Sequence, residues 1–188
     1  MKKRNKFICY TIITSVFIIY FSPIVTARGD TIHKNLRNNN KIIINWKNPY
    51  IGPNALHYYE NIAKKNEKNI TDQINAGVSA FQNKLPNVAI YYYNKAEKLD
   101  SKNGVILNDI GNVYRDGLHN DKKAIFYYKK AISIEPSYDF SWLNLVYTLN
   151  QMNMQESADT VVLRALKILP KSDPLYNIFK KILFTLKK

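Results

Sequence analysis

The chain has 188 residues, a formal net charge of +14 and a single cysteine, Cys9. That length holds one modest domain and a leader, not several large domains, and one cysteine excludes both a disulfide framework and a thiolate metal site. The charge divides as +4 over residues 1–27, +5 over 28–69 and +5 over 70–188. Such an excess draws acidic partners by long-range attraction, and it serves equally as solvated surface.

The chain opens with Lys2, Lys3, Arg4 and Lys6, then an uncharged apolar run from Phe7 to Phe21, then Ser22-Pro23-Ile24-Val25-Thr26-Ala27. A basic head, an apolar centre and small residues before a cut form the order of a secretory signal peptide, so residues 1–27 are read as a cleaved signal. The alternative is an uncleaved inner-membrane anchor over residues 7–25, a stretch just long enough to span a bilayer. Both readings export the remainder, to a periplasmic or other extracytoplasmic space of a bacterium. Residues 28–52 follow as a linker: Asn38-Asn39-Asn40 is too polar to bury surface. Ile42 to Trp46 is apolar and cut off by Pro49, which suits packing on the next element or, alternatively, a strand offered to a partner. Residues 53–69 read as a capping helix, with Pro53 at its start and Ala55, Leu56, Tyr59, Ile62 and Ala63 on one side.

From residue 70 two strings recur. The first is Gln73–Ala76–Gly77–Ala80, Leu107–Ile110–Gly111–Tyr114, Trp142–Leu145–Val146–Leu149 and Tyr176–Phe179–Lys180–Leu183. The second is Ala89–Tyr93–Ala96, Ala124–Tyr128–Ala131 and Ala158–Val162–Ala165, in steps of 35 and 34 residues. Spacings of three and four place each string on one helical face, and a constant period near 34 marks stacked helix pairs. The predicted units are 70–103, 104–138 and 139–172, with a terminal helix over 173–188. Pro136 and Pro170 close the second and third units. The loop 116–121 is expected to absorb the one extra residue of the second unit. The fold class is all-α, an α-α superhelix.

These residues resemble the tetratricopeptide repeat family, whose pattern is Trp-x₂-Leu-Gly-x₂-Tyr on a first helix and Ala-x₃-Phe on a second, closed by Pro. Trp142 and Leu145 open the third unit as the family does, with Val146 in the Gly place. Leu107, Ile110, Gly111 and Tyr114 match in the second unit, and Gln73 stands in the Trp place of the first. The resemblance implies a right-handed solenoid whose concave face, lined by the first helices, binds a peptide or protein segment. It also places Asn112 where the family contacts ligand backbone. Ile74, Val78 and Leu143 stand where relatives that hold a C-terminal carboxylate carry polar or basic groups, so that mode is not reproduced.

Off the packing stripe of the first helices, the candidate groove residues are Asn75, Asn108, Asn112, Arg115, Asn144, Tyr147, Gln151, Asn177 and Lys181. Asn75, Asn108, Asn144 and Asn177 recur at steps of 33, 36 and 33, a rough amide ladder able to donate to and accept from an extended backbone. No catalytic or metal-binding set emerges: His33, His57 and His119 are scattered, and no phosphate loop or nucleic-acid motif occurs. In Tyr91-Tyr92-Tyr93 and Phe126-Tyr127-Tyr128 consecutive side chains diverge by about 100°, so neither run forms one stacking platform. On the terminal helix Tyr176, Phe179 and Leu183 are expected to face inward. Ile178, Ile182 and Phe184 would then face a partner chain, a second copy or a membrane surface. The sequence thus describes an exported, non-catalytic adaptor without cofactors that binds a protein segment in envelope assembly. The alternative is a basic envelope protein that binds anionic polymer or lipid electrostatically.

Overall fold

A computed structural model describes residues 37–38, 41–42 and 48–186. The signal or anchor expected over residues 1–27, the segment 43–46 and Lys187–Lys188 lie outside the described residues. The chain divides into units 1–49 and 50–188. In the first, β1 (Arg37–Asn38) pairs antiparallel with β2 (Lys41–Ile42), Arg37 opposite Ile42 and Asn38 opposite Lys41.

The second unit carries eight α-helices among the described residues: α1 Pro53–Lys65, α2 Ile70–Gln82, α3 Pro86–Leu99, α4 Gly104–Asn112, α5 Asp121–Ile134, α6 Asp139–Gln151, α7 Gln155–Ile168 and α8 Tyr176–Leu186. Local chemistry starts several of them. The Asn69, Asn103 and Asn120 side chains accept from the backbone N–H groups of Asp72, of Val105 and Ile106, and of Lys123, satisfying donors that a helix start leaves bare. Pro86 opens α3, where its missing N–H costs nothing. Each turn from a first to a second helix contains one left-handed residue, Lys84, His119 or Asn153, with φ of 63°, 51° and 59°.

Through the three units both recurring strings are core, apart from the half-buried Tyr114. Ala89, Tyr93 and Ala96, then Ala124, Tyr128 and Ala131, then Ala158, Val162 and Ala165 are all buried, as are Leu107, Ile110, Trp142, Leu145, Val146 and Leu149. Each unit closes as a pair, α2 on α3, α4 on α5 and α6 on α7, and successive pairs stack. The small residues are needed for this approach: a Cβ on Gly77 would lie 2.9 Å from the Tyr93 ring. Leu in place of Ala131 or Ala165, neither of which has any exposed surface, should overpack its pair and cost about 1–3 kcal/mol in urea denaturation. Unchanged midpoints in both variants would contradict the pairing.

The position shared by Gln73 and Trp142 does one job with two chemistries. Gln73 Nε2 donates to the Ala63 carbonyl at 2.8 Å, closing the end of α1, and Trp142 Nε1 donates to the Pro136 carbonyl at 2.8 Å, closing the end of α5. The Ala63 carbonyl is one that a helix end leaves without an internal donor, and the Pro136 carbonyl lies in the turn just past the α5 cap, Glu135.

Three details differ from the sequence reading. The extra residue of the second unit is not held by a longer loop: α4 runs into a π-helical turn over Val113–Gly117, closed by Leu118 N–H donating to the Val113 carbonyl at 3.0 Å. An inserted residue inside a helix end is accommodated by such widening. The inward stripe of α8 is Phe179 and Ile182, continued by Leu175 just before the helix, all buried, while Tyr176 and Leu183 are half-buried. The helix is therefore turned by one residue from the expected register, and Ile182 belongs to the core rather than the outer face. Lastly, Tyr50 is buried and joins the array. Its ring stacks on Tyr59 at 4.8 Å, its hydroxyl donates to Asn75 Oδ1 at 3.1 Å, and its carbonyl accepts from Ser79 Oγ and Asn83 Nδ2, each at 2.8 Å.

Candidate functional site

Buried polar side chains are costly unless bonded, so where a fold keeps them is informative. Gln73, Ser79, Asn108, Arg115, Ser141, Asn144 and Thr148 are buried, and every one belongs to α2, α4 with its π-turn, or α6. These first helices form the inner layer, in which α4 also packs directly on α6.

A continuous polar chain runs through that layer. Asn108 bonds the Asp109 carboxylate, Asn144 Nδ2 donates to Asn108 Oδ1 at 2.9 Å, and Arg115 Nη1 donates to Asn144 Oδ1 at 3.0 Å. Arg115 ends the chain with two bonds to Asp116, Nε to Oδ1 at 2.7 Å and Nη2 to Oδ2 at 2.8 Å. Its guanidinium lies 5.7 Å from the Tyr128 ring centre and 5.2 Å from that of Tyr147. Burial pulls the Arg115 pKa down, but the Asp116 bond and the nearby tyrosines more than offset this, so it stands above its usual value. Around this chain Tyr128 donates to Asn112 Oδ1 at 2.9 Å, and Gln151 Nε2 donates to the Tyr147 hydroxyl at 2.8 Å.

Of the residues expected in the groove, Asn108, Arg115, Asn144, Tyr147 and Gln151 are thus joined, with Asn112 beside them through Tyr128. Asn75 instead holds Tyr50 at the first unit. Asn177 and Lys181 are exposed on α8, outside this network. The expected groove set leaves out three polar residues of these first helices. Asp116 is the partner of Arg115. Asp109 is a half-buried carboxyl, pushed up to about 7 by burial, with the Asn108 bond acting the other way. Asn150 buries Oδ1 and Nδ2 without a hydrogen-bond partner in the protein. The signal for Asn150 lay in the period, since it stands 35 residues after Arg115, as Trp142 does after Leu107. Among the described residues no group of three His, Cys, Asp or Glu side chains is placed to hold a metal ion. No helix there is long and apolar enough to cross a membrane.

A profile described as Tetratricopeptide repeat matches residues 106–138, the second helix pair. The chain is a tetratricopeptide repeat protein. Solved structures share the fold of this repeat protein. A thermophilic TPR protein of Thermus thermophilus superposes with a TM-score of 0.58 at 16% identity, covering 70% of this chain and 73% of that one. MamA superposes at 0.55 and 20%, covering 61% and 62%. The first TPR of Spaghetti (RPAP3), bound to the HSP90 peptide SRMEEVD, superposes at 0.52 and 20%, covering 63% and 96%. The repeat protein is also 33% identical over 84 residues to the probable UDP-N-acetylglucosamine–peptide N-acetylglucosaminyltransferase SPINDLY of Hordeum vulgare. That match spans 45% of this chain and 9% of the relative's length.

Proposed function

We propose that this repeat protein is an exported, non-catalytic adaptor whose first-helix face holds a peptide or protein segment during bacterial envelope assembly. The observation that carries the reading is the bonded chain Asp109–Asn108–Asn144–Arg115–Asp116, with Tyr147, Asn112 and Gln151 along its margin. Side chains already held by internal bonds lose little freedom when a ligand binds, so the contacts they make are retained as affinity. The peptide complex of the Spaghetti domain is consistent with an occupant of this class. Export rests on the signal-like order of residues 1–27.

The test is a photo-crosslinking amino acid placed at Tyr147 of the full chain in its native host, with Leu163 on α7 as the control position. The expected result is a protein adduct at position 147 and none at 163, and mass spectrometry of that adduct reads both the partner and the first residue of the mature chain. No adduct at 147, or the same adducts at both positions, would overturn inner-face binding. An adduct whose chain begins at Met1 would overturn cleavage of the leader.

A further inference from the structure

The second helices α3 and α5, and α1, which packs on α2 ahead of the first pair, each present one exposed stripe at steps of four, three and four. On α1 this is Asn54–Tyr58–Asn61–Lys65, on α3 Asn87–Tyr91–Asn94–Lys98, and on α5 Lys122–Phe126–Lys129–Ser133. The second place is aromatic every time, at spacings of 33 and 35 residues that follow the repeat. Tyr58, Tyr91 and Phe126 are 59%, 54% and 61% exposed, unusually open for such large apolar groups. Each is held edge-on by the tyrosine that follows it: Tyr58 on Tyr59 at 5.2 Å, Tyr91 on Tyr92 at 5.0 Å and Phe126 on Tyr127 at 5.3 Å, with interplanar angles of 79°, 79° and 88°. The outer rings therefore stand off the surface in a fixed attitude. In α7 the row stops, with Thr160 in the aromatic place.

The charges on the three stripes themselves have one sign, although Glu60 lies near Tyr92 behind the row. Lys65, Lys98, Lys122 and Lys129 lie on the three stripes, and no Asp or Glu does. Two flanking acids are already matched, Glu67 by Lys95 at 3.5 Å and Glu97 by Lys130 at 2.6 Å. Lys95 also lies 5.1 Å from the Tyr91 ring centre.

We propose that this outer aromatic row is a peripheral docking face for an anionic lipid surface. Aromatic rings flanked by lysines settle at the headgroup level of a bilayer, where the ring is half-immersed and the ammonium meets lipid phosphate. A single nucleic-acid strand would use the same groups, but it needs a groove to track its backbone, and these stripes are ridges on exposed helices. A lipid surface requires no shape-matched counterpart, which suits rings projecting from three successive helices. The row is separate from the inner face, so a partner held there stays accessible while the repeats lie on the membrane.

The full chain would be floated with phosphatidylcholine vesicles containing about one-third phosphatidylglycerol, and the bound fraction labelled with hydroxyl radicals. Labelling of Tyr58, Tyr91 and Phe126 should fall roughly threefold or more relative to the chain in buffer, while Tyr147 stays unchanged. Protection should fail to appear with pure phosphatidylcholine and should be reversed at ~0.5 M salt, where screening removes lysine attraction. The site-resolved readout separates this face from any attachment through the leader. If the chain floats with all three rings fully labelled, or does not float at all, the proposal is overturned.

Discussion

Gly111→Val is expected to lower the unfolding free energy by about 2–4 kcal/mol. A Cβ at position 111 would lie 2.5 Å from Tyr128 Cε1 and 2.7 Å from its Cδ1, closer than carbon atoms approach. Tyr128 cannot retreat freely: its side chain is fully buried and its hydroxyl is bonded to Asn112. The third unit meets the same geometric problem with a different pair, since Val146 and Val162 occupy the equivalent places and are both buried. The double variant Gly111→Val, Tyr128→Val recreates that pair in the second unit. It should recover at least about 1 kcal/mol relative to the sum of the two single costs. Urea denaturation of the four proteins measures the coupling, and strictly additive costs would remove the steric explanation.

The same pair shows why so much of the fold could be read from the residues. Gly and Ala opposite a large ring are a two-body requirement, and repeating the requirement every 34 or 35 residues leaves it legible without any partner in view. The polar chain was harder. The Asn ladder was expected to run along one face, yet its steps of 33, 36 and 33 slip against the helix steps of 34, 35 and 34 from Gln73 to Leu107, Trp142 and Tyr176. One residue is about 100° of rotation on a helix. Asn108 and Asn144 therefore lie on opposing sides of neighbouring helices and bond one another at 2.9 Å, which residues in equal register would not do. The residues in true register are Asn75, Asp109 and Asn144, and the first and third proved to be internal bonding groups. The turned register of α8 arose in the same way, because a single terminal string carries no second string to fix its rotation. Tyr50 was unreadable for a different reason: its anchors Asn75, Ser79 and Asn83 lie 25 to 33 residues away, and nothing local marks it.

Asp109 supplies the second large effect, and its sign follows from its setting. Burial lifts this carboxyl from its ordinary 3.8 to about 7, and among the described residues no cation pairs with it. Tyr93, Tyr128 and Tyr138 lie close enough to feel its charge, and Asn108 is its hydrogen-bond partner. Because the folded-state value is raised, the native state holds the proton more tightly than the unfolded chain does. The stability this group contributes is complete below about 3.8 and is lost as pH rises through about 7. Asp139 adds to the trend, raised to about 6 by burial and by the nearby Asp173 carboxyl. A full interval of this size would correspond to ~4 kcal/mol, but Asp109 is only partly enclosed, and solvent screening reduces the expected effect to about 1–2 kcal/mol. Asp109→Asn keeps the shape and removes the charge. The variant should therefore exceed the parent in stability by that amount at pH 8 and approach it near pH 4, with Asp139 unchanged in both. Urea midpoints of the two proteins across this range provide the comparison. A variant no more stable than the parent at pH 8 would mean that the Asp109 carboxylate is stabilised in the fold rather than strained by it.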